Sequence, residues 1–198
     1  MSARVMDALP RLRVIARYGI GVDNIDVEAA SERGIAVLNA PGFCAREVAE
    51  HTLMFILACA RKLGFLDKCV RRGDWARDKA SPMRGLYTQT LGIIGFGQIG
   101  REVARRAAAC GMRILAYDPY LPKTDAERYG VTMVSLPELL SQSDFVSLHA
   151  PLTQETRHLL SETELRKMKP TAHLINTGRG PLVDEPALLN ALLSLIHI

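Results

Sequence analysis

Six residues, Gly95-Phe96-Gly97-Gln98-Ile99-Gly100, carry the first chemistry this sequence offers. Their spacing is G-x-G-x-x-G, and an apolar run, Leu91, Ile93 and Ile94, leads into them. Each glycine has a physical task. Gly95 permits a tight turn, Gly97 lets backbone approach a pyrophosphate, and Gly100 lets the following helix lie close on the strand. A helix opening near Gln98 aims unpaired amides and the positive end of its dipole at phosphates. Asp118 stands roughly 20 residues beyond the glycines, where a carboxylate meets the ribose hydroxyls of a dinucleotide. An acid at that place repels a 2′-phosphate, so NAD(H) is expected over NADP(H). The plainer role open to Asp118 is that of a turn residue before Pro119.

The glycine spacing means little without the elements that hold it, and the flanking sequence supplies them. Arg101 to Cys110 reads as a helix with Val103, Ala104, Ala107 and Ala108 toward a sheet, Gly111 ends it, and Met112–Tyr117 is the next strand. Further along, the reading places strands over Val131–Val134, Phe145–His149 and Ala172–Asn176, with a short helix over Pro137–Leu140. Ser161 with Glu164 three residues on is a capping-box pattern, and Asp184 caps a helix with Pro186 in its first turn. Before the glycines, Leu12–Tyr18 and Ile35–Leu38 read as strands around a helix over Val27–Arg33. A long helix is expected from Ala45 to Leu63, with Val48, Thr52, Phe55, Ile56, Cys59 and Leu63 at helical spacing. Its apolar residues spread over more than one face, which suits either burial between domains or subunits or a place in the core. Residues 71–86 read as a loop carrying Trp75. Repeated βα units imply an α/β fold with an open, doubly wound parallel sheet.

Composition narrows the function classes. A chain of 198 residues, 48% hydrophobic and 23% charged, can bury a core and reads as a soluble globular protein. The net charge of +4 comes from scattered basic residues without interleaved aromatics, so no nucleic-acid partner is expected. The apolar stretch Leu53–Ala60 is far shorter than the roughly 20 residues a bilayer needs, so neither is a membrane. Cys44, Cys59, Cys69 and Cys110 form no C-x-x-C pair and no zinc-like pattern with histidine, so free thiols, a cytoplasmic setting and no metal are expected.

Several separate motifs in order resemble the NAD-dependent D-isomer-specific 2-hydroxyacid dehydrogenases, including D-3-phosphoglycerate dehydrogenase and the C-terminal-binding-protein branch. They are RYGIGVDNID (Arg17–Asp26), NAPG (Asn39–Gly42), EVAEHT (Glu47–Thr52), LGIIGFGQIG, YDPY (Tyr117–Tyr120), LHAPLT (Leu148–Thr153), INTGRG (Ile175–Gly180) and LVDE (Leu182–Glu185). The resemblance runs from about Leu12 to Leu192. It implies a Rossmann NAD-binding domain over residues 41–192 and, over 1–40, a remnant of a flavodoxin-like substrate domain. Arg179 would hold the carboxylate or carbonyl oxygen of a small 2-hydroxy or 2-oxo acid. That role suits a guanidinium, which offers two parallel donors and stays charged. Backbone amides around Ile20 and Gly21 would complete the carboxylate cradle. His149, Ala150 and Pro151 would line the nicotinamide side of the cleft, with Thr156, Thr177 and Gly178 nearby, and Asp118-Pro119 the adenosine side. The helix at 45–63 would build a homodimer.

The resemblance also implies what to look for and not find. The LH-x-P histidine, His149, sits at the cofactor in this family and not over the substrate carbonyl, and His51, His158 and His173 do not match the catalytic position. The acid–base histidine and its glutamate belong to motifs downstream of Leu192, so the chain is expected to be a fragment lacking both. Residues 193–198, LSLIHI, are what CTG TCT CTT ATA CAC ATC encodes, a transposase-adapter sequence, and are expected to be a non-native tail in which His197 has no role. Cys44 stands where the phosphoglycerate branch usually has asparagine. It therefore weakens 3-phosphoglycerate as substrate and leaves an NADH-responsive, corepressor-like binding module as the alternative to an oxidoreductase.

Overall fold

The computed structural model describes residues 1–75, 78–80 and 82–193, so nearly all of the 193–198 tail, His197 included, lies outside the described residues. The chain divides into two compact units, residues 1–45 and 46–198.

The N-terminal unit is a small βαβ arrangement. Strands β1 (Val14–Ala16) and β2 (Ala36–Leu38) pair in parallel, and helices α1 (Ala3–Asp7) and α2 (Val27–Glu32) accompany them. Asp26 caps α2 by accepting from the Ala29 amide at 3.0 Å. Gly34 follows the helix with φ +62°, the left-handed conformation that closes a helix C-terminus, and the Ile35 amide reaches back to the Ala30 carbonyl at 2.9 Å. Met6, Ala29, Ala30 and Ile35 form its core. Both strands are shorter than their apolar runs suggested.

The second unit is built on five parallel strands: β3 (Thr90–Ile94), β4 (Arg113–Tyr117), β5 (Thr132–Met133), β6 (Phe145–Leu148) and β7 (His173–Asn176), in the order β5-β4-β3-β6-β7. This is the doubly wound α/β sheet that the repeated βα units implied, reversing direction at β3. Every residue of β3 and β6 is buried, as expected of strands covered on both faces. On one face Leu91, Ile93, Ile114, Phe145 and Ile175 pack beneath α3 (Ala45–Ala60), α5 (Gln98–Ala109) and α6 (Lys123–Glu127). On the other, Ile94, Leu115, Val146 and Leu148 meet α7 (Leu136–Gln142), α8 (Glu162–Leu165) and α9 (Glu185–Leu193). Glu164 does reach back to the amide of Ser161, at 3.3 Å, and Asp184 accepts from Ala187 at 3.2 Å, so both expected caps form.

Two expectations need correction. The long helix does not run to Leu63. It stops at Ala60, Lys62 adopts φ 50°, and a separate helix α4 covers Leu63–Arg71. The apolar spacing continues across this break, so periodicity alone could not reveal a single left-handed residue that redirects the chain. Helix α6 was not anticipated either: its one turn, KTDAE, is too short and polar to carry a period.

Gly92 shows what the second face requires. A Cβ there would stand 2.3 Å from Ser143 Oγ and 2.5 Å from Leu139 Cδ2, so α7 lies against bare backbone. Gly92→Ala is expected to lower stability by about 1–3 kcal/mol through overpacking. Gly64→Ala, in the first turn of α4 with nothing within 4 Å, should raise it slightly, by up to roughly 1 kcal/mol, since alanine is the better helix former. Denaturant midpoints of the two variants against the parent chain check the opposite signs.

Candidate functional site

A parallel sheet delivers the C-terminal ends of its strands, and the loops that follow them, to one edge. Here β3, β4, β6 and β7 bring to that edge the residues marked out in the second unit's sequence. A ligand crevice forms where the strand order reverses, between the loops after β3 and β6.

The turn after β3 is tightly constrained. Gly95 has φ +88°, and a Cβ on it would lie 2.6 Å from the amide nitrogen of Ala150. The β6 loop, His149-Ala150-Pro151, therefore packs directly behind the glycine turn. A Cβ on Gly100 would lie 2.4 Å from the Gly95 carbonyl oxygen, so only glycine lets α5 descend this close to β3. A Cβ on Gly97 would meet nothing within 4 Å. That opening adjoins the first turn of α5, where Arg101 is the first residue whose amide bonds back into the helix, to Gly97. The amides of Gln98, Ile99 and Gly100 precede it and have no acceptor in the helix. The cradle fits a dinucleotide pyrophosphate. Phe96 and Ile99 serve it by backbone only: Phe96 is buried against Tyr129, ring centroids 5.7 Å apart, and Ile99 packs into the core.

Asp118 ends β4 beside this turn. Its Oδ2 accepts from the Phe96 amide at 2.9 Å and its Oδ1 from the Tyr120 amide at 3.0 Å, around Pro119. The carboxylate thus holds the glycine turn and its own turn together. Each oxygen keeps a further lone pair for a hydroxyl donor. Tyr120 donates its hydroxyl to Glu155, joining the loop after β4 to the loop after β6. Thr156 closes that second loop, donating to the Pro151 carbonyl at 2.6 Å and accepting from the Thr153 amide at 2.7 Å.

His149 follows β6 with its ring turned inward. Nε2 lies 2.9 Å from Oγ of the buried Ser147, and Nδ1 is buried without a partner among the described residues. Burial pushes its pKa down from 6.5 to about 4, so the ring is neutral across the physiological range.

After β7 the chain turns through Thr177-Gly178-Arg179. Asn176 clamps the turn from within, its Nδ2 donating to the Arg179 carbonyl at 2.8 Å and its Oδ1 accepting from the Gly178 amide at 3.0 Å. The Thr177 hydroxyl lies 3.1 Å from that of Thr52 on α3. Ile20 and Gly21 belong to the N-terminal unit, in the loop after β1, where their carbonyls accept from Asn39 at 2.8 Å and Arg17 at 3.2 Å.

Sequence reasoning missed several supports of this edge. Arg101 donates to the Phe96 carbonyl at 3.2 Å and lies over the Phe96 and Tyr129 rings at 5.9 and 5.6 Å, bracing the glycine turn from the helix side. Its only sequence signal is a position directly after the fingerprint. Asn176 and Thr52 lie inside quoted motifs, yet nothing in their spacing reveals what they touch. Among the described residues no cluster of three or more candidate metal ligands occurs, and no helix is long and apolar enough to cross a membrane.

Glycine cradle, acid at the end of the neighbouring strand and crevice at the reversal of strand order together define a Rossmann NAD-binding domain. A family model described as "D-isomer specific 2-hydroxyacid dehydrogenase, NAD binding domain" matches residues 53–195, and the chain belongs to that family. It is 47% identical over 189 residues to a D-3-phosphoglycerate dehydrogenase of Methanocaldococcus jannaschii, covering 95% of this chain and 36% of the relative. A glyoxylate reductase of Korarchaeum cryptofilum is also 47% identical, over 97% of this chain and 59% of its own length. The fold superposes on D-lactate dehydrogenase from Aquifex aeolicus, solved with NAD and lactic acid, with a TM-score of 0.95 at 36% identity, over all of this chain and 59% of that one. The chain therefore spans less than two thirds of each of these relatives.

The buried imidazole has a measurable consequence. Its folded pKa lies below its unfolded one, so the unfolded state takes up a proton first as pH falls. Stability from this group is complete above about 6.5 and is lost down to about pH 4, amounting to about 3 kcal/mol. Urea unfolding between pH 7 and 4 should show a shallower decline in His149→Asn than in the parent chain.

Proposed function

We propose that this chain is the cofactor-binding and carboxylate-holding part of an NAD-dependent oxidoreductase acting on the CH–OH group of a D-2-hydroxy acid. The observation that carries the reading is the meeting of the glycine cradle, Asp118, the His149 loop and the Arg179 turn at one edge of one sheet. NAD supplies the hydride acceptor, or NADH the donor, when bound. The chain's own residues bind and orient. The α5 amides and Gly97 take the pyrophosphate, and Asp118 accepts from the adenosine ribose hydroxyls while continuing to hold the Phe96 amide. Pro151, Thr156 and Gly178 line the cleft with Ala150. Arg179 clamps the substrate carboxylate through paired N–H donors. Neutral His149, tied to Ser147, keeps the floor of the cleft uncharged and is assigned no proton transfer. The three relatives act, by name, on phosphoglycerate, glyoxylate and D-lactate, which supports a small 2-hydroxy or 2-oxo acid as the class and singles out none.

The same reading makes the protein a homodimer through α3 and places it in the cytoplasm, in keeping with its free cysteines. The inner stripe of α3, Ala49, Thr52, Ile56 and Ala60, is buried, while Met54, Phe55 and Leu57 on the other side are exposed. An apolar groove of about 530 Å³, lined in part by Leu53, Met54, Leu57 and Leu63, runs along that outer side. Exposed apolar surface of this kind favours a second copy.

Two measurements test these assignments. Fluorescence titration should show NADH binding at least tenfold tighter than NADPH, and Asp118→Ala should narrow the difference to a few-fold, a change of about 1 kcal/mol. Equal affinity for both nucleotides with Asp118 intact would remove its role. Sedimentation should give a dimer that Leu57→Glu converts to monomer, since the charge would be buried unpaired; a parent chain that sediments as a monomer would refute the α3 interface.

A further inference from the structure

Thr52 lies on α3 and is fully buried. Its hydroxyl has one proton, donated to the Val48 carbonyl one turn back at 2.9 Å. The 3.1 Å contact with Thr177 must then run the other way, with Thr177 donating and Thr52 accepting. The result is a directed chain, Thr177 hydroxyl to Thr52 hydroxyl to Val48 carbonyl. It joins residues 125 apart in sequence, in the helix at one end and the turn that carries Arg179 at the other.

Within its own stretch of chain the turn is held by the Leu182 amide, which donates to the Arg179 carbonyl at 3.2 Å. Asn176 closes it internally by bonding both the Gly178 amide and the Arg179 carbonyl, but Asn176 is itself exposed and belongs to the same loop. An internal clamp sets the shape of a turn without setting where the turn stands. Gly178 limits one direction, since a Cβ there would meet Leu182 Cδ1 at 3.2 Å. The Thr177–Thr52 bond ties the turn to α3, and its Thr52 end is fully buried.

We propose that Thr52 is a positioning residue that fixes the Thr177-Gly178-Arg179 turn to α3, so that the place of the Arg179 guanidinium is set by the same helix whose outer face is exposed and apolar. The value of this link for substrate rests on the reading of Arg179 as the carboxylate clamp; the link itself does not. A hydroxyl is required at position 52, and its methyl group is not.

The experiment is amide hydrogen exchange on the full chain with NADH present, comparing Thr52→Val, Thr52→Ser and Thr177→Val with the parent. Thr52→Val keeps the shape and removes the hydroxyl. It should speed exchange of the amides at 177–180 about tenfold, the order of one buried hydrogen bond, while β3 and β4 amides stay within twofold. Thr52→Ser should restore parental protection. Thr177→Val breaks the bond from the loop side and should reproduce the effect, with the double valine variant adding nothing further. The proposal is overturned if Thr52→Val leaves the turn as protected as before, or if exchange rises evenly over the sheet in Thr52→Val while Thr177→Val has no effect. Oxalate titration of the NADH complex, parent against Arg179→Gln, reports separately on the arginine. Equal oxalate affinity there would remove its carboxylate role and leave the link between turn and helix standing.

Discussion

A side chain on Gly100 would strike the carbonyl of Gly95, and one on Gly95 would strike the backbone of Ala150. These two close approaches fix the distance between α5, β3 and the loop after β6, and the rest of the edge depends on them. A helix held a few ångströms farther out would point its first amides past a phosphate instead of at it. The glycines are thus important for the backbone approaches they allow, and the crevice exists because three chain segments meet without side chains between them.

Around that contact, polar groups serve two tasks at once. Asp118 holds the Phe96 amide with one oxygen and turns the chain at Tyr120 with the other. Arg101 braces the same turn from α5 through the Phe96 carbonyl and the aromatic rings. Ser147 occupies the one ring nitrogen of His149 that has a partner, in surroundings dry enough to keep the ring neutral. Such sharing is economical in a small site, since a group that orders the loop is already ordered when a ligand arrives.

Much of this was legible in the residues. The continuous apolar runs of β3, β4 and β6, the capping residues Asp26, Ser161 and Asp184, and the glycine at each turn are local signals, and each element they marked is present within a residue or a few at its ends. What stayed hidden was hidden for physical reasons. The break at Lys62 is one residue in a left-handed conformation within an unbroken apolar spacing. Phe96 stands inside a binding motif yet turns its ring into the core, because burying an aromatic outweighs proximity in sequence to a ligand. Thr52 reads as an ordinary member of a helical stripe, and its partner lies on the far side of the chain.

The residues alone determined the class of fold, the glycine turn and the acid at the end of the neighbouring strand, because these rest on backbone geometry that only certain residue types permit at a fixed spacing. The tertiary structure decided which groups meet across long stretches of sequence: Thr52 with Thr177, Tyr120 with Glu155, His149 with a buried serine. Those pairings follow from how strands are ordered in the sheet and how helices lie upon it, and no local rule of spacing carries that information.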